Sequence, residues 1–419
     1  MIACLPVRIA AAVSASLVLW PLPARADVVL DWNQIALAAT VTAGQGPLPQ
    51  NRTMGIVHLA MHDAVSAITR EYDTYLSIGA VSQDAAPEAA AIGAAHNVLT
   101  ALFPGQAAAL DCHRAASLAA EGLTEADPGI EIGEDVAAAI LSIAASDGSG
   151  SAQFPYTAPG AGNPGVWVPV DARPASAPGW GSVTPWVLRS GSQFRPDPPP
   201  ALDSERYARD FNEVYLLGEK TNSTRTPDQS DIARFWLGSP AVIWNQVARQ
   251  LIEARGLDIS AGARALALFY LATSDAGIAC WDAKYTFNFW RPSTAIHHAD
   301  VDENPETSAD LDWEAFLTHG QHPDYPSGHT TNSGALAAAL NLLFGDDPGV
   351  PLVVTSPTNP GFVRVWATPD EGLQEVIEAR IYSGFHFRTA DDVGARLGRQ
   401  VARFVLTHAL RARHGRDAQ

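Results

Sequence analysis

Apolar residues recur along most of this chain at intervals of three and four, the spacing that places them on one face of an α-helix. Between Arg52 and Ile68 the stripe runs through Met54, Val57, Met61, Val65 and Ile68. Ala-rich helical stretches follow at about 85–103, 106–121 and 131–146. From Phe154 to Pro200 the periodicity dissolves into a segment dense in Pro, Gly and Ser that ends in Pro198-Pro199-Pro200. Trp167, Trp180 and Trp186 lie in it, and such large apolar side chains favour a covering loop packed on the core over a free linker. Helical spacing resumes at about 202–217, 226–237, 240–255, 260–290, 328–344, 370–384 and 389–412. Val350 to Val354 and Phe362 to Trp366 alternate and read as short strands. No period of 20–50 residues repeats. The pattern predicts an all-α protein of packed helical bundles with one long Pro/Gly/Trp-rich loop.

The first residues read as a processing segment. Arg8 supplies a positive start, Ile9 to Leu22 is apolar apart from Ser14, Ser16 and Pro21, and Ala24-Arg25-Ala26 is a small-x-small cleavage site. A membrane anchor is the plainer alternative, but the apolar run is short for a bilayer. The expected organisation is a signal peptide over 1–26, a helical region with its covering loop over 27–200, and a helical core over 201–419. The product would be secreted or periplasmic, with no stable membrane insertion after processing. The formal net charge of −18 argues against nucleic acid and anionic membranes as partners. Loss of Arg8 and Arg25 with the leader makes the chain more acidic still. An anion site must therefore be a local inversion of the overall field.

Three cysteines are present, and Cys4 leaves with the leader. Cys112 and Cys280 can pair in an oxidising compartment or stay as buried free thiols; their apolar helical surroundings favour the thiols. His58, His62 and Asp63 resemble a metal pair, but the glutamate of His-Glu-x-x-His is missing, and packing with internal hydrogen bonds is the better reading.

Three segments carry the chemistry. The first runs from Lys284 to Arg291-Pro292. Seven residues are nearly two helical turns, which would put both cations on one face. They are embedded among Trp281, Tyr285, Phe287, Phe289 and Trp290, and buried cations need an anionic partner. Lys220 and Lys284 are the only lysines among 27 basic side chains, so a lysine kept in an aromatic helix suggests a task for a compact ammonium. The bland alternative is a salt bridge to Asp282 or Asp300. The second segment is Pro326-Ser327-Gly328-His329 before an Ala/Leu run. Ser327 fits an N-cap, Gly328 lets the backbone approach a ligand, and a helix N-terminus binds anions. Here the alternative is an ordinary cap with an incidental histidine. The third segment is Arg380 to His386, with Gly384 permitting a turn; a cationic helix end and a satisfied core histidine would explain it equally. Together the segments make a complete set for a tetrahedral oxyanion.

These segments resemble the signature of the superfamily that joins vanadium-dependent haloperoxidases with type 2 phosphatidic acid phosphatases. Its pattern is Lys-x6-Arg-Pro, then Pro-Ser-Gly-His, then Ser-Arg-x5-His-x3-Asp. The first two are complete here; in the third, Ala379 replaces the serine and Ala390 the aspartate, with Asp391 and Asp392 following. The match is strongest over roughly 260–410, and the helical N-terminal half, including 52–68, is similar to the secreted bacterial haloperoxidase-like branch. The resemblance implies a vanadium chloroperoxidase-like fold. It implies vanadate as cofactor, bonded to the metal ligand His386 and held through its oxygens by Lys284, Arg291, Ser327, Gly328 and Arg380. His329 would act as acid/base at the apical oxygen, and Lys284 would polarise hydrogen peroxide. Halide would be oxidised to hypohalous acid and passed to an organic acceptor.

The same residues bind phosphate, and with phosphate esters His386 would be the nucleophile and His329 the proton donor of an acid phosphatase. The absence of spanning helices, the length of the chain and Asn288-Phe-Trp-Arg-Pro lean towards the peroxidase. His322 stands where bromoperoxidases of the family carry a histidine and chloroperoxidases a phenylalanine, which points to a halide site favouring bromide or iodide. An exposed loop histidine, with His319 equally near, is the alternative. An oxyanion-binding protein without turnover is a third class of reading, against which His329 speaks.

Overall fold

The structure, a computed structural model, describes residues 28–413, so the leader read over 1–26 lies outside the described residues. The chain opens with α1 (Val28–Thr42), α2 (Pro47–Thr69), α3 (Pro87–Leu102), α4 (Ala107–Ala120) and α5 (Pro128–Ala145). The long loop leads to α6 (Glu205–Gly218), α7 (Pro227–Phe235), α8 (Pro240–Arg255), α9 (Ile259–Phe287) and α10 (Pro292–His297). Then come α11 (Gly328–Phe344), the strands β1 (Leu352–Thr355) and β2 (Val363–Trp366), α12 (Pro369–Tyr382) and α13 (Arg388–His408). The strands pair antiparallel, Leu352 opposite Trp366. The all-α expectation holds, with this hairpin as the one named sheet among the described residues.

Pattern and structure agree on most helices. The α2 helix starts earlier than its stripe because Pro47 fits the first turn, where no amide is needed. The sequence pattern does not mark α1 and α10. The first has an apolar face too wide to show a clean period, and the second is only six residues long.

The centre of the molecule is α9, 29 residues long and buried over most of its length. A helix apolar all round belongs inside a core. The Asp258 carboxylate caps its start by accepting from Ala261 N at 2.8 Å. On one side α2 packs against α9, with α3 and α5 paired behind it; on the other, α11 and α13 lie along α9 and each other. Each of the chain's two halves thus contributes one wall around α9.

The 154–200 segment covers this core. Trp167, Trp180 and Trp186 are all buried. Asp275, in the middle of α9, anchors the loop by accepting from the backbone amides of Trp186, Val187 and Leu188 at 2.8, 2.8 and 2.9 Å. Further along α9, Trp281 Nε1 and the Tyr285 hydroxyl both donate to Ser176 O, at 3.1 and 2.8 Å.

His58, His62 and Asp63 are packing residues. His58 Nε2 lies 3.0 Å from Asn33 Nδ2, His62 Nε2 lies 3.1 Å from Asp73 O, and Asp63 accepts from Tyr75 N and Leu76 N. No group of three metal-ligating side chains occurs among the described residues. Cys280 is a buried free thiol and does not pair with Cys112. Cys112 is half-buried and is not a free thiol, so the reading of two buried thiols holds for Cys280 alone. No described helix is long and apolar enough to cross a membrane.

Candidate oxyanion site

The first segment departs from a continuous helix. Asn288 takes a left-handed conformation (φ 48°) and ends α9, its N–H donating to Lys284 O at 2.8 Å. Pro292 disfavours helical backbone at the residue before it, and Arg291 is extended. Lys284 and Arg291 therefore do not share a helix face, contrary to the seven-residue reading. The chain turns between them, pinned by the covering loop: Trp167 N donates to Asn288 O and Trp290 N to Gly165 O.

Lys284 is fully buried. Its Nζ donates to the carbonyls of Pro323 and Asp324 at 2.6 and 2.9 Å. The alternative salt bridge to Asp282 is not formed, because Asp282 pairs with Arg195. Burial pushes the Lys284 ammonium down to about 7. Arg291 ties the segments together. Its Nε donates to His322 O at 2.8 Å and its Nη1 to Phe385 O at 2.9 Å. Nη2 lies 2.9 Å from His322 Nδ1, and Nη1 3.2 Å from His386 Nε2.

In the second segment Ser327 occupies the N-cap of α11, as expected, but its hydroxyl does not cap. The buried Oγ makes no hydrogen bond of good geometry. The first-turn amides of a helix have no intrahelical acceptor and face outwards from its end. A Cβ on Gly328 would sit 3.0 Å from Trp281 Cζ3 and 3.8 Å from Lys284 Cε, so glycine lets this helix end settle onto α9 beside the lysine. His329 is half-buried, with Nε2 3.3 Å from Gly238 O.

In the third segment Arg380 lies in the last turn of α12, and Gly384 turns the chain with φ 75°. The guanidinium stacks on Phe385 at 4.6 Å, and Nη1 donates to Trp236 O at 2.9 Å, whereas the buried Nε has no partner. His386 Nδ1 lies 2.7 Å from Asp324 Oδ1.

Arg291, His322, Gly328, His329, Arg380 and His386 border one cavity of about 350 Å³. Lys284 and Ser327 stand directly behind this wall. His322 is half-buried and tilted against Trp281 at 5.0 Å, so it is not an exposed loop residue; His319 is buried, edge-on to Phe385. Burial, reinforced by the neighbouring cations, holds His322, His329 and His386 well below the usual histidine range. They are neutral and offer lone pairs. Burial also pushes Arg291 down to about 10 and Asp324 up to about 7. Asp391 lies beside Ser327 and Arg380, though neither of its oxygens makes a hydrogen bond of good geometry.

The sequence left the orienting partner of His386 open, with Asp391 and Asp392 nearest in the chain. The structure supplies Asp324 instead. One signal pointed to it: Asp324 is the only acid in the stretch from His322 to Ser327, between two residues already singled out. The cavity wall also takes Pro47, Leu48, Arg173, Ser176, Leu237 and Pro240 from distant parts of the chain, which no motif marked.

The donor set suits a tetrahedral oxyanion. Three buried cations have no close carboxylate salt bridge, an orphaned hydroxyl and guanidinium N–H stand beside them, and a neutral imidazole faces the cavity. Cations buried in this way are stabilised by an anion that satisfies them together. Vanadate and phosphate both fit that description.

Comparison with known proteins agrees. Residues 264–415 match the family model of the VCPO second helical-bundle domain. Vanadium chloroperoxidase of Curvularia inaequalis is 27% identical over 402 residues, covering 74% of this chain. The chain spans 64% of the length of that relative. The crystal structure of a bacterial vanadium-dependent iodoperoxidase superposes with a TM-score of 0.80 at 24% identity, covering 94% of this chain and 99% of the other. An apo-type bacterial vanadium-dependent chloroperoxidase gives 0.69 at 21% identity, covering 87% and 95%. With its three motifs brought to one cavity, the chain matches the VCPO second helical-bundle domain over 264–415 and shares the fold of bacterial vanadium-dependent haloperoxidases.

Proposed function

We propose that this protein is a vanadate-dependent haloperoxidase that oxidises halide, bromide or iodide in preference, with hydrogen peroxide, after export through a cleaved leader. The observation that carries the reading is the cavity bordered by Arg291, Gly328, His329, Arg380 and His386, in which the buried Arg380 Nε is left without a partner. Bound vanadate supplies Lewis-acid activation of peroxide without changing its own oxidation state. Lys284, Arg291 and Arg380 neutralise the oxygens, and Ser327 and the Gly328 amide donate to them. His386 offers its Nε2 to the central atom. His329, neutral and on the first turn of α11, takes or gives the proton that peroxide exchanges. Lys284 places positive charge where the peroxide bond must polarise. His322, between Trp281 and the Arg291 guanidinium, lines the halide site. An organic acceptor receives the oxidised halide.

A second reading rests on the same geometry. A neutral imidazole paired with a buried carboxylate also suits a phosphohistidine route, with His386 as nucleophile and His329 as acid. Purified protein, with and without vanadate, is assayed for bromination of a phenolic dye with peroxide and for hydrolysis of a chromogenic phosphate ester. Vanadate-dependent bromination is the expected outcome. Hydrolysis inhibited by vanadate would establish the phosphatase, and tight vanadate binding with neither activity an oxyanion carrier.

A further inference from the structure

His386 stands between two groups whose hydrogen-bonding abilities are fixed by their chemistry. Arg291 Nη1 lies 3.2 Å from Nε2, and a guanidinium can only donate. The Nε2 atom must therefore accept, and the ring proton of the neutral imidazole must sit on Nδ1. That nitrogen faces Asp324 Oδ1 at 2.7 Å, in a position to accept it. Asp324 is fully buried and held at both ends: its own N–H donates to Phe289 O at 2.9 Å, and its carbonyl accepts from Lys284 Nζ at 2.9 Å. The position from which the family pattern would supply a carboxylate is Ala390, on α13. Asp324 comes from the other side, in the loop that leads into α11.

We propose that Asp324 is the positioning carboxylate of this site, taking over from Ala390, and that it locks His386 in the Nδ1–H tautomer, so that the Nε2 lone pair held by Arg291 in the free protein passes to the oxyanion's central atom when the guanidinium turns to the anion's oxygens. The inference rests on the reading of the cavity as an oxyanion site. Asp324 does not touch the ligand; it acts through His386 and, by its carbonyl, through Lys284. It makes one prediction that a purely structural role does not. Phosphate is held by cations and N–H donors, whereas vanadate also needs a nitrogen lone pair. Loss of Asp324 must therefore weaken vanadate much more than phosphate.

The experiment uses the full chain with ring-15N-labelled histidine, with His386→Gln to assign the signal. Calorimetric titrations with vanadate and with inorganic phosphate are run on the native protein, Asp324→Ala and Asp324→Asn. The native His386 should show a protonated Nδ1 and an unprotonated Nε2. Asp324→Ala should weaken vanadate between about tenfold and a hundredfold, the range for lost outer-shell partners, with a change in phosphate affinity several times smaller. Asp324→Asn, whose amide oxygen still accepts from Nδ1–H, should restore the tautomer and most of the affinity. Equal losses for both anions, unchanged vanadate affinity in Asp324→Ala, or a native His386 protonated on Nε2 would each overturn the proposal. If Asp324→Ala does not fold, the native spectrum and the Asn variant decide it. Failure of the native protein to bind either anion would instead overturn the oxyanion reading, and the native tautomer would still test the lock.

Discussion

Gly398 of α13 lies so close to Thr331 of α11 that a Cβ on the glycine would stand 2.0 Å from the threonine carbonyl oxygen. That oxygen is backbone inside a helix and cannot swing aside, so any side chain here must push the two helices apart. Gly398→Ala should cost about 1–3 kcal/mol in urea unfolding, the usual range for overpacking. Because α11 begins at Gly328, the same change should weaken vanadate binding although Gly398 is remote from the cavity. Native affinity and stability in Gly398→Ala would show that the helix contact does not set the site.

Lys284 should give anion binding a pH dependence. Its pKa in the folded protein is about 7, below the ordinary lysine value, so between the two the unfolded chain holds a proton that the folded chain lacks. Free-protein stability from this group therefore rises with pH across that window. A bound anion favours the ammonium, so above about pH 7 binding must take up a proton. Affinity should then fall by up to about tenfold per pH unit. Sulfate, whose charge is constant from pH 6 to 9, is a suitable probe. Lys284→Met should weaken binding at pH 6 and flatten the profile; a profile equally steep in the variant would assign the titration elsewhere.

The half-buried ring of His322 should govern halide choice. His322→Phe removes the ring nitrogens beside Arg291 while keeping an aromatic surface against Trp281. The ratio of kcat/KM for bromide to that for chloride should fall by roughly tenfold, about 1.4 kcal/mol in relative barrier. An unchanged ratio would remove His322 from the halide site.

Asp275 should hold the covering loop. Its carboxylate accepts three backbone N–H groups, and Asp275→Ala leaves them without that partner. The expected loss is about 3–5 kcal/mol, typical of breaking a buried charged network. Limited proteolysis should cut within 154–200 much faster in the variant, and resistance equal to the native protein would mean the tryptophans alone seat the loop.

Much of this was legible in the residues because it depends on local rules. The helices follow from periodicity, and the turn at Gly384 from glycine. The three motifs placed the candidate site because each keeps its chemistry within a few residues. What stayed hidden depends on contacts between distant segments. Asn288 ends α9 early and separates Lys284 from Arg291, which spacing alone could not reveal. Asp324 reaches His386 across 62 positions of sequence, whereas the neighbouring Asp391 turns towards Ser327 and Arg380. Ser327 was placed at its cap position, but only the fold shows its hydroxyl left over.

The walls of the cavity have a practical consequence. The side chains proposed to hold the anion all lie between 284 and 386, while Pro47, Leu48, Arg173 and Ser176 also line the cavity. Cradle and doorway are thus separate stretches of chain, joined by their packing on α9 and by hydrogen bonds such as Ser176 N to Gln321 O and Arg173 Nη2 to His319 O. Replacing the doorway, at α2's first turn or within the Trp-bearing loop, can resize the entrance for bulkier or smaller guests while the cradle keeps its cations and histidines. The molecule is in that sense a fixed socket with an exchangeable collar.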